Sequence, residues 1–248
     1  MTTVREVAPG VHLVQHAHVN CYLLEDTDGL TVVDAGLPGV WQQLGRAVRE
    51  IGYRPRDVRA VLLTHAHFDH VGVARRLQER LGVPVWAHPE EVSLAAHPYR
   101  YAHENPRAAY PLRHPSAVPI LTAMARAGAL WVRGVTGLSP LTPGTTVEVP
   151  GRPEVVLSAG HTYGHCALHL PERGTLLSGD ALVTLDPYTA ETGPRIIAGA
   201  ATADSDMALR SLDALAQTGA STVLPGHGEP WTGGIEVAVE HARAVGAS

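Results

Sequence analysis

Through the first third of the chain, apolar residues alternate with polar ones or gather in short β-branched blocks. That period of two predicts strands over residues 10–15, 19–24 and 30–33, with Asp26-Thr-Asp-Gly29 as the turn between the last two. Strand and helix then alternate: a helix over 41–51, a buried strand over 59–63, an amphipathic helix over 69–81 and a strand over 83–87. Strands return over 146–149, 154–157, 166–170 and 175–177. A helix over about 204–218, a strand over 221–224 and a helix from about 234 to 245 close the pattern. Strands followed by βα units, twice over, predict an α/β fold of two similar halves with sheets inside and helices outside, a four-layer αββα sandwich. The whole of 1–248 reads as one domain.

Residues from about 97 to 143 break this pattern. Pro98, Pro106, Pro111, Pro115 and Pro119 interleave with Tyr99, Tyr101, Tyr110, Arg107 and Arg113, ahead of a largely apolar helix expected over 120–132. The segment reads as an insertion packed over the rest of the protein. Its helix would place Ile120, Met124, Ala127 and Trp131 on one stripe, serving as core, as a lid over a pocket or as a homodimer contact.

Composition narrows the possible functions. With 45% hydrophobic and 17% charged residues, the 248-residue chain can bury a sizeable core. A net charge of −5, with the charges scattered, offers no basic face for nucleic acid and no polybasic stretch for a membrane surface. There is no lysine, which excludes a catalytic or Schiff-base lysine. Neither a secretory leader nor a membrane-spanning apolar run is evident, so the expectation is a cytoplasmic protein acting on a small molecule. Cys21 and Cys166 lie far apart and are expected to be free and buried. What stands out is histidine, 15 residues in all.

The strand over 59–63 runs into Thr64-His65-Ala66-His67-Phe68-Asp69-His70. Four potential metal donors fall within six residues, where a buried strand ends and a helix begins. Alternation puts His65 and His67 on one side, able to grip one metal, while Asp69 and His70 open the helix and face a second position. Imidazole with carboxylate suits zinc, or iron and manganese when water completes the sphere. This cluster cannot complete two metal positions, so further donors are expected at other strand ends. Three candidate segments follow: Gly160-His161-Thr-Tyr-Gly-His165, Gly179-Asp180 and Gly226-His227. In each, a glycine lets the backbone turn sharply and aim the next side chain into a shared cleft.

Taken in order, these motifs resemble those of the metallo-β-lactamase-fold hydrolases. Asn20-Cys-Tyr-Leu-Leu and Val33-Asp34-Ala-Gly36 look like that family too, so the resemblance covers nearly the whole chain except the insertion. It implies that His65, His67 and His161 hold one metal, that Asp69, His70 and His227 hold the other, and that Asp180 bridges both. Asp34 and His165 would orient ligands through hydrogen bonds and set their tautomers. The implied cofactors are two divalent ions, zinc foremost, with iron or manganese also accepted. Two such cations about 3.5–4 Å apart share a water, lower its pKa and supply a bridging hydroxide for attack. Asp69 would steer that nucleophile or accept its proton, which makes Asp69 and Asp180 the candidate catalytic carboxylates. Tyr163 replaces the commoner proline of its motif; it either lines the substrate pocket or is an exposed turn residue.

Asp180 stands where the true β-lactamases of this fold generally have cysteine or serine, and His67 where its flavodiiron oxygen reductases carry an acid. The ligand set is similar to that of glyoxalase II, but the chain ends at Ser248, without room for that enzyme's helical C-terminal domain. The expectation is a dinuclear metal-dependent hydrolase cleaving an ester, thioester, lactone or similar acyl bond. The alternative is a mononuclear iron persulfide dioxygenase using His161, Asp180 and one histidine of the first cluster. A third reading, a non-catalytic binding module on the same fold, is opposed by the complete donor set.

Overall fold

The computed structural model describes residues 4–248; residues 1–3, part of the segment read for a leader, lie outside it. Seven strands, numbered in chain order, form the first sheet: β1 (Arg5–Ala8), β2 (Val11–His16), β3 (Val19–Asp26), β4 (Gly29–Val33), β5 (Val58–Leu62), β6 (Val85–Ala87) and β7 (Ser139–Pro140). Pairing is antiparallel from β1 to β4 and parallel from β4 to β7. The second sheet runs β13 (Thr222–Pro225), β10 (Thr175–Gly179), β9 (Cys166–Leu170) and β8 (Glu154–Leu157), with β10 and β13 parallel. A hairpin of β11 (Val183–Leu185) and β12 (Thr192–Arg195) follows β10.

Alternation along the strands sorts side chains into layers. Leu13, Tyr22, Leu24, Val33 and Leu62 pack with Cys166, Leu168, Leu170, Leu177 and Leu224 in the core between the sheets. Their neighbours Val14, Cys21, Leu23, Val32 and Val61 belong to the opposite face, packed with Leu44, Ala47 and Val48 of the helix Trp41–Glu50. Behind the second sheet, Ala167, Leu176 and Val223 meet Leu212 and Leu215 of the helix Ser205–Ala216 and Val239 of the helix Ile235–Val245. These are the layers of an αββα sandwich. Cys21 and Cys166 are both free and sit in different cores, which keeps them from pairing.

Several elements differ from the sequence expectation. The helix expected over 69–81 is two, Phe68–Val71 and Ala74–Leu81. Between them the backbone bonds sideways: Gly72 N–H donates to Gly36 O (2.8 Å), Val73 N–H to Ala35 O (3.1 Å), and Ala35 N–H to His70 O (2.7 Å). A Cβ on Gly72 would overlap the Gly36 carbonyl, so this approach depends on glycine. The strand expected over 146–149 reduces to one bridge, Thr146 to Glu154. In the segment 97–143, the apolar helix is Val118–Arg126, ending near Gly128 at φ +97. Ile120, Met124 and Ala127 are buried, but Trp131 lies beyond the helix and is 72% exposed. The same segment also contributes β7 to the first sheet's edge, which a two-residue strand in Ser139-Pro140 did not announce.

Candidate metal centre

Parallel pairing of β4 with β5 and of β10 with β13 brings four strand C-termini to one end of the sandwich, the edge where α/β folds gather polar loops. Asp34 follows β4, the segment His65–His70 follows β5, Asp180 follows β10 and His227 follows β13. The loop from β8 to β9 adds His161 and His165. The nine acidic and histidine side chains among these, Asp34, His65, His67, Asp69, His70, His161, His165, Asp180 and His227, are at most 5% exposed.

The donor atoms form three overlapping groups that could each hold an ion: His65, His67 and His161; His65, His70 and Asp180; Asp69, His70 and His227. Within each, every donor lies within 4.8 Å of the others. Asp180 Oδ2 stands in the middle, 3.3 Å from His227 Nε2, 3.5 Å from both His70 Nε2 and His161 Nε2, and 3.8 Å from His65 Nε2. Asp69 Oδ2 is 3.3 Å from His227 Nε2, and His161 Nε2 is 2.9 Å from His67 Nδ1. The seven residues that sequence and resemblance singled out as donors therefore meet in one place.

Hydrogen bonds behind the rings aim them. His70 Nδ1 donates to Asp34 Oδ2 (2.9 Å) and His227 Nδ1 to His18 O (2.7 Å). Thr64 Oγ1 donates to Asp34 Oδ2 (2.9 Å), which leaves it to accept from His65 Nδ1 (3.1 Å). Thr202 Oγ1 donates to Ile197 O and so accepts from His161 Nδ1 (3.4 Å). With Nδ1 engaged on the outer side, the Nε2 atoms of His65, His70, His161 and His227 are turned inward. Asp34 carries this load at φ +57, a left-handed conformation more accessible to Asp than to most residues. His165 receives the Asp180 N–H on Nε2 (3.0 Å) and bonds Ser158 Oγ through Nδ1 (2.8 Å).

Buried polar atoms without partners are rare in folded proteins. Here His65 Nε2, His67 Nε2, His70 Nε2 and Asp180 Oδ1 have none, and two of the four, His65 Nε2 and His70 Nε2, belong to the inward-facing set. The electrostatics lean the same way. Burial pushes the pKa of His65 and His67 well down and that of His161 to about 4, keeping their lone pairs open. Burial also opposes charge on His227, yet Asp180 and Asp69 override it and raise its pKa to about 10. The carboxylates thus draw positive charge into the centre. Imidazole and carboxylate converging in a buried site are the donor set of borderline divalent ions, and the residues present fit such an ion.

Glu91 was not foreseen. It sits 1% exposed after β6 in an ordinary Pro-Glu-Glu sequence that reads as surface. Its Oε2 accepts the Ala66 N–H (2.8 Å) and its Oε1 the Gly164 N–H (3.0 Å), tying the His65–His67 segment of one sheet to the His161–His165 loop of the other. Asn20 does the same for His227, donating from Nδ2 to Pro225 O (2.9 Å) and Gly228 O (2.8 Å). Tyr163, the candidate pocket residue, is 53% exposed. The wall beside His67 comes from the segment 97–143 instead: the Tyr101 ring centroid is 4.0 Å from that of His67, and Tyr99 stacks on Phe68 at 5.7 Å.

A buried His/Asp donor cluster at the strand ends of an αββα sandwich is the mark of the metallohydrolase class. The profile of the Metallo-beta-lactamase superfamily matches residues 16–227, and the chain belongs to that superfamily as a metal-dependent hydrolase. It is 27% identical to the probable metallo-hydrolase YflN of Bacillus subtilis over 268 aligned positions, covering 94% of this chain and 91% of the relative. An N-acyl homoserine lactonase of a Bacillus species is 25% identical over 219 positions, covering 79% of this chain and 74% of the relative. Among solved structures, the metallo-beta-lactamase family protein TTHA1429 of Thermus thermophilus superposes with a TM-score of 0.70 at 30% identity, covering 97% of this chain and 80% of that one. Among the described residues no helix is long and apolar enough to cross a membrane.

Proposed function

We propose that the chain, acting as one domain, is a dinuclear hydrolase of acyl bonds: esters, thioesters, lactones or similar. The observation that carries this reading is Asp180 Oδ2, within 3.8 Å of four imidazole Nε2 atoms drawn from both halves of the donor set. His65, His67 and His161 would hold one divalent ion, Asp69, His70 and His227 the second, and Asp180 both. Zinc is the first expectation, and the same donors accept iron or manganese. When bound, the pair supplies an acidified water and a Lewis acid for the carbonyl oxygen. Around it the protein's own groups orient and exclude. Asp34, Thr64, His18 and Thr202 hold four rings with Nε2 inward, and His165 holds the Asp180 backbone. Asp69, whose Oδ2 is 3.3 Å from His227 Nε2, would be the residue to accept a proton from the attacking water. Tyr101 and Phe68 shield the His67 side from bulk water, so the segment 97–143 acts as a cover.

The lactonase among the relatives, whose name specifies an acyl substrate, supports this reaction class. The second donor group, Asp69, His70 and His227, weighs against a single-iron dioxygenase, which needs only one position. The test is metal analysis followed by an acyl-substrate panel. Close to two ions per chain and hydrolysis lost in Asp180→Ala are expected. One iron per chain with oxygen uptake on a persulfide would overturn the reading.

A further inference from the structure

The segment that covers the centre is charged unlike the rest of the molecule. Between residues 97 and 143 stand five arginines and a single acid, Glu104, in a chain of net charge −5. Glu104 is already engaged, accepting from Ser205 N–H (2.8 Å) and Ser205 Oγ (2.5 Å). One of these arginines stacks on the residue that walls His67. The Arg107 guanidinium carbon lies 4.1 Å from the Tyr101 ring centroid, and that ring is 4.0 Å from the His67 ring. By the triangle inequality the guanidinium is no more than about 8 Å from His67.

The manner in which Arg107 is held matters more than its proximity. It is half-buried and makes no ion pair or side-chain hydrogen bond among the described residues. Its position comes from stacking on an aromatic face, which uses none of its five N–H donors. Tyr101 is itself 7% exposed, with its hydroxyl 3.4 Å from that of Tyr188, so the platform beneath the guanidinium is set by packing. A planar, permanently charged fork fixed by its face and open at its edge matches a carboxylate bidentately. Desolvation strengthens such a contact relative to one in open water.

We infer that Arg107 is an anion-recognition subsite for the reaction proposed above, and that the substrate is an acyl compound carrying a carboxylate a few bonds from the scissile carbonyl. This rests on the hydrolase reading. Hydrolysis would turn the scissile acyl group into a second carboxylate and release the alcohol or thiol, so the acid product would be a dicarboxylate. The positive segment favours approach of the anionic substrate, a contribution that weakens as salt rises.

Phenyl hydrogen glutarate and its methyl ester, phenyl methyl glutarate, differ only in that charge. With zinc-loaded protein, phenol release should show kcat/KM at least about tenfold higher for the anionic ester, and Arg107→Met should collapse that ratio by about tenfold to a hundredfold, the loss of one charged hydrogen-bonded pair. Arg126→Met, an exposed arginine elsewhere in the segment, should keep the ratio. Isothermal titration of glutarate should show binding weakened at least about tenfold by Arg107→Met. Equal rates on the two esters, or an equal collapse in Arg126→Met, would overturn the subsite and leave the hydrolase reading standing. Glutarate binding that depends on Arg107, with neither ester hydrolysed, would keep the subsite and overturn the acyl-hydrolase reading. Glutarate binding indifferent to Arg107 overturns the subsite whatever the esters show.

Discussion

Gly226→Ala tests the centre without removing a donor. Gly226 precedes His227 and its backbone is not in the left-handed region, so alanine meets no conformational strain there. The added methyl would overlap Asp180 Oδ1 and come within 2.8 Å of His70 Cε1. Ordinary contact needs about 3.5 Å, so the Asp180 carboxylate must withdraw by about 1 Å or more. Overpacking of this kind costs about 1–3 kcal/mol, and at 2–4 °C per kcal/mol the fold survives with a lowered Tm. A 1 Å displacement of a reacting group costs about a hundredfold in rate. The expected result is a folded protein by circular dichroism, with less than two ions per chain and kcat/KM down about a hundredfold. Gly45→Ala is the control: its methyl would lie 3.7 Å from Arg49 Nη1, in ordinary contact, inside a helix. There alanine should stabilise by about 0.5–1 kcal/mol with metal content unchanged. Full metal content and a rate within threefold of wild type for Gly226→Ala would refute the placement of Asp180 at the heart of the centre.

Glu91→Gln turns one carboxylate oxygen into an amide that faces a backbone N–H, leaving a buried donor unpaired; a loss of about 1–3 kcal/mol in urea unfolding is expected, with metal lost first from the His65, His67 and His161 position, as read by metal analysis. Unchanged stability would show that the two loops hold without it. Asp34→Ala strips His70 Nδ1, Thr64 N and Thr64 Oγ1 of their acceptor, and should weaken metal affinity by about 10- to 100-fold in competition with a chelator. His165 has its pKa pushed down to about 3 by burial, and by His161. Its unfolded value is about 6.5, so its contribution to stability is intact above pH 6.5 and is lost as pH falls toward 3, reaching about 2 kcal/mol at pH 5. Urea melts at pH 7 and 5 should show that difference, and a His165→Asn protein with the same pH slope would rule His165 out as its source. Metal removal by a chelator should lower Tm in a way that added zinc reverses in proportion to the logarithm of its concentration, and a Tm indifferent to zinc would contradict binding to the folded state.

The chemistry was legible along the chain because ligands on strand ends leave a local signature. His65-Ala-His67-Phe-Asp69-His70 is compact, and Gly179-Asp180 and Gly226-His227 each pair a donor with the small residue its turn and close packing demand. Layering was legible too, since a period of two assigns Leu24 to one core and Leu23 to the other. Less visible were relations between residues distant in sequence. Gly72 breaks a well-formed helical pattern because of what Gly36 does thirty-six positions earlier. Glu91 looks like a surface acid until two sheets close on it, and Arg107 like a solvated one until Tyr101 is laid against His67. Residue type and local spacing determined which groups could bind an ion. The tertiary structure decided which lone pairs face one another and which polar groups lose their water, because both depend on distances across the fold rather than along the chain.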